Sequence, residues 1–433
     1  MKKHSNDFGN DSVPGLVLRT SVPFMFAQFV NVLYSIVDRI YIGNIPQIGD
    51  VSLAGAGICA PIITLLSSFA TLIGIGGSVL FSMRLGAKDQ EKAKNLLGTS
   101  FSMLLVFSAV LTVLFLLLKG PLLWWFGASK TTFSYANTYM TIYTLGTFFA
   151  LLSMGMNYFI TAQGYPGLGM ATTLIGAIVN IVLDPIFIFL LHMNIAGAAL
   201  ATVLAQLSSC VFVLLTLKQK KMPIPLTLAP IRRSTAVRIL KMGFSPFLIL
   251  ATDSVIIIAL NAVLQHFGGP EYGDTLITCA TIVQSYMLLI TSPMLGITGG
   301  SQPLISFNMG AGKVDRIRKI VLCVLLLCIG FTTFMFLLSR FVPQYFVRIF
   351  TKNPEYASLS VWGIRVFTLG VIPLSFQYVF VDALTAMSLT KLSLFLSLLR
   401  KTEYFAATCL LPLFFAAKMC FYAEPIADTL CFF

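Results

Sequence analysis

Charge is what this sequence has least of. Only 10% of its 433 residues are Asp, Glu, Lys or Arg, and just 16 are acidic. An average soluble protein is about 25% charged, so a water-soluble globular chain is excluded. Disorder is excluded as well, because it needs low hydrophobicity and high net charge. Here 57% of residues are hydrophobic and the mean hydropathy is +0.89. Histidine is scarce: His4, His192 and His266 lie far apart, with no metal-ligand spacing. The eight cysteines form no CxxC pair and sit in apolar runs. Neither a disulfide framework nor a zinc site is expected from them. No Ser-His-Asp or HExxH arrangement exists, so an intramembrane hydrolase has no chemistry to use. Gly310-Ala-Gly312-Lys313 has the look of a phosphate loop, but the upstream glycine is absent and Val314 replaces the hydroxyl residue. No enzyme activity and no cofactor are therefore expected. The first ten residues are polar and lack a signal-peptide core, so the first apolar stretch should stay in the mature chain.

What the sequence does have is apolar runs of helix length. A spanning helix needs roughly 20 such residues. Runs lie near 16–43, 51–83, 92–118, 133–162, 168–191, 195–217, 236–266, 275–308, 317–340, 355–386 and 399–416, with a twelfth starting near 419. The twelfth has 15 residues, Met419 to Phe433. That is about 22 Å of helix against a core about 30 Å thick. A truncated last helix is the expectation, and with it an inactive product as one alternative.

The net charge of +13 would suggest a polyanion partner in a soluble protein. Sorting by loop offers a plainer account. With the N-terminus placed in the cytoplasm, 21 of the 29 basic residues fall inside and six outside; Arg39 and Arg365 sit at or within spans. The inside set includes Lys2, Lys3, the 218–241 cluster, Lys391, Arg400 and Lys401; Lys352 is among those outside. This asymmetry predicts a multi-pass protein of the inner (plasma) membrane with a cytoplasmic N-terminus, and no nucleic-acid partner.

The chain also repeats. Pro23 and Pro246 are 223 residues apart, as are Gly76-Gly77-Ser78 and Gly299-Gly300-Ser301. Gly86-Ala87 and Gly310-Ala311 are 224 apart. Six spans per repeat preserve orientation, which predicts two lobes related by an axis along the membrane normal, with a site between them. The lobes are expected at 1–217 and 235–433, joined by a basic, proline-containing cytoplasmic linker at 218–234.

Four carboxylates fall inside apolar runs: Asp38, Asp184, Asp253 and Asp382. Each costs about 2.5–3.5 kcal/mol to insert at a helix centre, which marks them as functional candidates. The competing reading is pairing with a cation or capping of a helix break. That reading is strongest at Asp184, which precedes Pro185. Helical neighbours sharpen the case. Gln28, Asn31, Ser35 and Asp38 are spaced three, four and three, and form one stripe bordered by Tyr34. Asn180 and Asp184 share a face, as do Thr202 and Gln206. Ser375, Tyr378, Asp382 and Thr385 repeat the first spacing. Such stripes should face a bundle interior or an aqueous cavity, although for Ser35 and Thr385 interhelical hydrogen bonding explains them as well.

In order and spacing, a set of segments resembles the multidrug and toxic compound extrusion (MATE) family over nearly the whole chain. These are Tyr34-Ser-Ile-Val-Asp38, Gly76-Gly77-Ser78 with Arg84-Leu-Gly-Ala87, and Val179-Asn180-Ile-Val-Leu-Asp184-Pro185. Gly299-Gly-Ser-Gln-Pro303, Asn308-Met-Gly-Ala311 and Phe421-Tyr-Ala-Glu-Pro425 complete the set. The resemblance implies an all-α polytopic fold of two six-helix lobes around a central V-shaped cavity. It implies an antiporter that exports cationic amphipathic compounds in exchange for H+ or Na+ by alternating access. It further implies N-lobe cation coupling through Asp38, Asn180, Asp184 and Thr202, with Asp38 and Asp184 as the ligands if the ion is sodium. Asp253 and Asp382 match C-lobe coupling positions of another branch, with Asp where that branch has Glu at the first. Gln28, Asn31, Tyr34, Asn157, Gln206, Gln284 and Tyr378 are the expected substrate-cavity residues. Expected partners are small organic cations and membrane lipid, and the expected state is a monomer. The alternative transport reading is a lipid-linked or polysaccharide flippase, which should show a cavity rich in Arg and Lys.

Overall fold

The computed structural model describes residues 7–126, 128, 130–350 and 353–431. Lys2, Lys3, His4 and Lys352 lie outside these. Among the described residues the chain is helical, with no strand. The first half contains α1 (Val13–Gly43), α2 (Gly49–Gly86), α3 (Gln90–Trp125), α4 (Phe133–Ala162), α5 (Pro166–Pro185) and α6 (Asn194–Lys218). A π-helical turn, Ile186–Leu190, continues α5. The second half contains α7 (Arg233–Gly310), α8 (Val314–Phe341), the short α9 (Pro343–Phe350), α10 (Pro354–Phe367), α11 (Val371–Ala386), α12 (Thr390–Phe414) and α13 (Ala423–Leu430). Ten segments are long and apolar enough to cross a membrane, two of them within α7 (Arg233–Asp253 and Thr275–Gly310).

Three differences from the sequence reading have local causes. The expected spans at 236–266 and 275–308 belong to one helical run that breaks at Gly269, whose φ of 72° lies in the left-handed region that glycine tolerates. The expected span at 355–386 is divided by a 3-10 turn at Thr368–Gly370. The span expected at 399–416 is α12, which begins nine residues earlier. Arg400 and Lys401 therefore lie about 15 Å along its axis, near the middle of this helix, rather than in a loop. Beyond α12 the chain forms a 3-10 turn, Ala417–Tyr422, and the eight-residue α13, which packs back on α12.

Two apolar cores belong to the first half. One gathers Ile42, Leu66, Leu123, Met140 and Ile188; the other gathers Leu97, Phe159, Val213 and Ile239. The 218–234 linker is docked rather than loose. Met222, Ile224 and Leu226 are buried in the second of these cores, and the Ile224 amide donates to Gln163 Oε1 at 2.9 Å. The core of the second half runs from Leu260 to Ala427 and also takes in Phe8, Val13, Leu16 and Val17. The start of α1 thus crosses to the other lobe, where Asn308 Nδ2 donates to the Phe8 carbonyl.

The lobes meet where the repeated glycines lie. A Cβ on Gly86 would stand 1.9 Å from the Phe307 carbonyl oxygen, and one on Gly310 1.9 Å from that of Met83. Gly86 and Gly310 are repeat mates, and so are Met83 and Phe307. The two contacts are therefore copies of one another across the pseudo-two-fold axis, much as in an isologous interface. Backbone touches backbone here, which only glycine permits.

Candidate functional site

A cavity of about 430 Å³ opens between α1, α2, α4, α5 and α6, and touches the second half through Leu250 of α7. Its polar wall comes from the stripes read in sequence. Gln28, Asn31 and Tyr34 of α1, Asn157 of α4, Asn180 of α5, and Thr202 and Gln206 of α6 all line it. The helical period explains the convergence: residues three or four apart present one face, and each amphipathic face turns to the same space.

Asp38 and Asp184 stand one helical turn beyond the lining residues Tyr34 and Asn180. Their carboxyl groups touch, bringing together the final turns of α1 and the end of α5. Asn180 Nδ2 donates to Asp184 Oδ1 at 3.2 Å and to Thr202 Oγ1 at 3.4 Å. Thr202 in turn donates to the Ala198 carbonyl, so its lone pairs face Asn180. Asp184 is fully buried and Asn180 nearly so. Three oxygens of the cluster, Asp38 Oδ1, Asp184 Oδ2 and Asn180 Oδ1, are buried without a hydrogen-bond partner. A buried acceptor left alone is costly, and two adjacent carboxylates repel strongly in a low dielectric. A proton or a small monovalent cation relieves both penalties. All the unpartnered atoms are oxygen, the donor type that suits a hard cation. Among the described residues no group of three or more His, Cys, Asp or Glu is placed to hold a metal.

The backbone next to Asp184 is irregular. Pro185 withholds one helical hydrogen bond and the π turn begins at the following residue. Such π segments concentrate at functional sites. Pro23, by contrast, is passed within a continuous α1.

Several residues of this site carried no signal strong enough to single them out. Tyr139 and Tyr143 of α4 stack with ring centroids 6.3 Å apart. Tyr139 lies against Thr202, and Tyr143 lies against Gln206 and Ser67. Their i, i+4 spacing was visible, but in a helix with so many apolar neighbours it reads equally as packing. Thr64, Ser67, Thr147 and Tyr158 also line the cavity.

The C-lobe candidates do not assemble into a comparable cluster. Asp382 lies against Thr298 and Gln302 of the second arm of α7. Asp253, on the first arm, pairs instead with Lys401 of α12 at 2.8 Å. Tyr378 lies on the Arg400 and Asp253 side of the lobe. Gln284 lines a separate crevice with Leu260, Leu264 and Phe421. Thr385 is tied to Ser393 of α12 at 2.7 Å, an interhelical hydrogen bond within the lobe.

The MatE family model matches residues 23–186 and 250–401. The multidrug export protein MepA of Staphylococcus haemolyticus is 25% identical over 434 residues, covering 98% of this chain and 93% of the relative. A solved outward-facing multidrug resistance MATE transporter of the MOP superfamily superposes with a TM-score of 0.91 at 21% identity, covering 98% of this chain and 94% of the other. A MOP-superfamily transporter from Pyrococcus furiosus, described as having a binding pocket of reversed polarity that suggests a different function, superposes with a TM-score of 0.91 at 21% identity, covering 99% and 96%.

Proposed function

The chain belongs to the MatE family of membrane transporters, and from that membership we propose that it is a multidrug efflux antiporter whose cation-coupling site is Asp38–Asn180–Asp184–Thr202. The observation that carries this reading is the touching carboxylate pair, with its unpartnered oxygens, one helical turn from the wall of a neutral polar cavity. A cavity of about 430 Å³ is of the size that takes drug-like molecules. Its wall contains no Lys or Arg, which disfavours an anionic headgroup and so the flippase alternative. Tyr34, Tyr143 and Tyr158 offer ring faces to a flat cation.

In this mechanism the ionised pair attracts an organic cation into the cavity. Entry of H+ or Na+ at the pair cancels that field and satisfies the unpartnered oxygens. The cargo then loses its electrostatic anchor and leaves. Coupling follows because the two cations compete for one charge. The π turn after Pro185 provides a ready place for α5 to adjust. The protein acts as a monomer in the plasma membrane with a cytoplasmic N-terminus; the charge asymmetry of the loops supports the orientation.

The test uses proteoliposomes loaded with a fluorescent organic cation, with pH and sodium gradients imposed separately. The wild type should respond to one or both gradients. Asp38→Asn should lose gradient-driven efflux while still binding the cation. Unchanged gradient-driven efflux in that variant would remove the carboxylate pair from the mechanism.

A further inference from the structure

The acid of the C-lobe has a feature that its N-lobe counterparts lack. Lys401 reaches from α12 to α7, and its ammonium meets three oxygens of a single helical turn. These are the Ile249 carbonyl, Thr252 Oγ1 at 2.9 Å and Asp253 Oδ1 at 2.8 Å. An ammonium has three donors, so Lys401 is fully satisfied. Thr252 directs its own proton to the Leu248 carbonyl at 2.8 Å, which leaves its lone pair for the lysine. The Lys401 side chain is only 8% exposed, whereas that of Asp253 is 48% exposed. Asp253 stands one turn beyond Leu250, which borders the transport cavity. The neighbouring cation does not compete for this acid: Arg400 is held by Glu424 and by Asp428 at 2.7 Å, both on α13.

A carbonyl, a hydroxyl and a carboxylate on one face form the oxygen set that a hard monovalent cation uses. Here the chain's own ammonium fills it. We propose that Lys401 is a tethered counter-cation occupying a latent monovalent-cation site of the C-lobe, so that Asp253 is silent in coupling.

The physical argument rests on desolvation. Removing Asp253 alone leaves the buried Lys401 ammonium without its counter-charge, and removing Lys401 alone leaves the half-exposed Asp253 carboxylate and the Ile249 and Thr252 oxygens without their donor; both are destabilising, the first more strongly. Removing both together costs far less. A carboxylate that served as a coupling group would behave differently, since no removal of its neighbour would restore its function. Losing Lys401 alone should instead expose the oxygen set to an external cation.

This inference builds on the efflux reading, and the experiment separates the two. Asp253→Asn, Lys401→Met and the double variant are purified as full chains, and their thermal midpoints are measured with and without sodium. Each single variant should melt below wild type, and the double variant should recover most of the loss. Sodium should raise the midpoint of Lys401→Met by more than it raises that of wild type or of the double variant. In proteoliposomes the double variant should pump within about twofold of wild type. The proposal is overturned if the double variant is folded yet loses efflux by about tenfold or more, since Asp253 would then act in coupling itself. It is overturned also if the two single effects on the midpoint simply add, or if sodium acts on Lys401→Met no more than on wild type. Failure of wild type to move organic cations would instead refute the efflux reading, and the midpoints would still decide the pairing.

Discussion

Alanine at Gly86 or Gly310 should break the seal between the lobes. In each case the added Cβ would stand 1.9 Å from a carbonyl oxygen of the other lobe, where ordinary contact begins at 3.4 Å. The obstacle is backbone on both sides, so no side chain can swing away, and the interface must part by about 1.5 Å. Overpacking of this kind costs about 1–3 kcal/mol. At 1.4 kcal/mol per tenfold, that shifts the balance between sealed and parted lobes by roughly 5- to 150-fold. Hydrogen–deuterium exchange over residues 80–90 and 304–314 reads the opening directly. Both segments should exchange faster by that factor in either variant, because each substitution breaks a contact that shares its geometry with the other. Gly330, in α8, supplies the control, since a methyl group placed there would meet nothing within 4 Å. Alanine at that position should be neutral or stabilising, by up to about 1 kcal/mol. Exchange at wild-type rates in both Gly86→Ala and Gly310→Ala would refute the close-contact argument.

Two further outcomes follow from local geometry. Tyr143→Phe removes the hydroxyl that lies against Gln206 and Ser67 in the cavity wall; cation affinity should fall by about two- to tenfold, the scale of one neutral hydrogen bond, as read by fluorescence titration. At the N-terminus, a hydrogen bond from Asn10 Nδ2 at 2.9 Å holds the Asp7 carboxyl below its usual range, helped by the Gly9 amide at 2.9 Å and the charge of Lys313. A depressed carboxylate stabilises the fold above its unfolded value and loses that contribution as pH falls through the lower folded value. Asp7→Asn should therefore lower the thermal midpoint near neutrality, and the difference from wild type should shrink as pH falls below the ordinary Asp range.

The sequence alone determined that this is a membrane protein of two repeated halves, because apolar run length and helical period are local properties. It also determined most of the N-lobe wall. Gln28, Asn31, Tyr34, Asn180, Thr202 and Gln206 could be read from three- and four-residue spacing, since a helix face is set by its own periodicity. The ends of the runs were less legible. Arg400 and Lys401 read as loop charges because a basic pair in a span is stable only with partners, and those partners, Asp253, Glu424 and Asp428, are distant in sequence. Tyr139 and Tyr143 were hidden for a related reason, since an aromatic in an apolar helix has no local mark of which neighbour it meets. Four intramembrane acids were candidates in sequence, and nothing local showed what each one meets. Only packing between helices separated them, by bringing Asp38 to Asp184 and Asp253 to a lysine. Spacing along one helix tells which residues share a face, but the charge that each face meets is a property of the helix across from it.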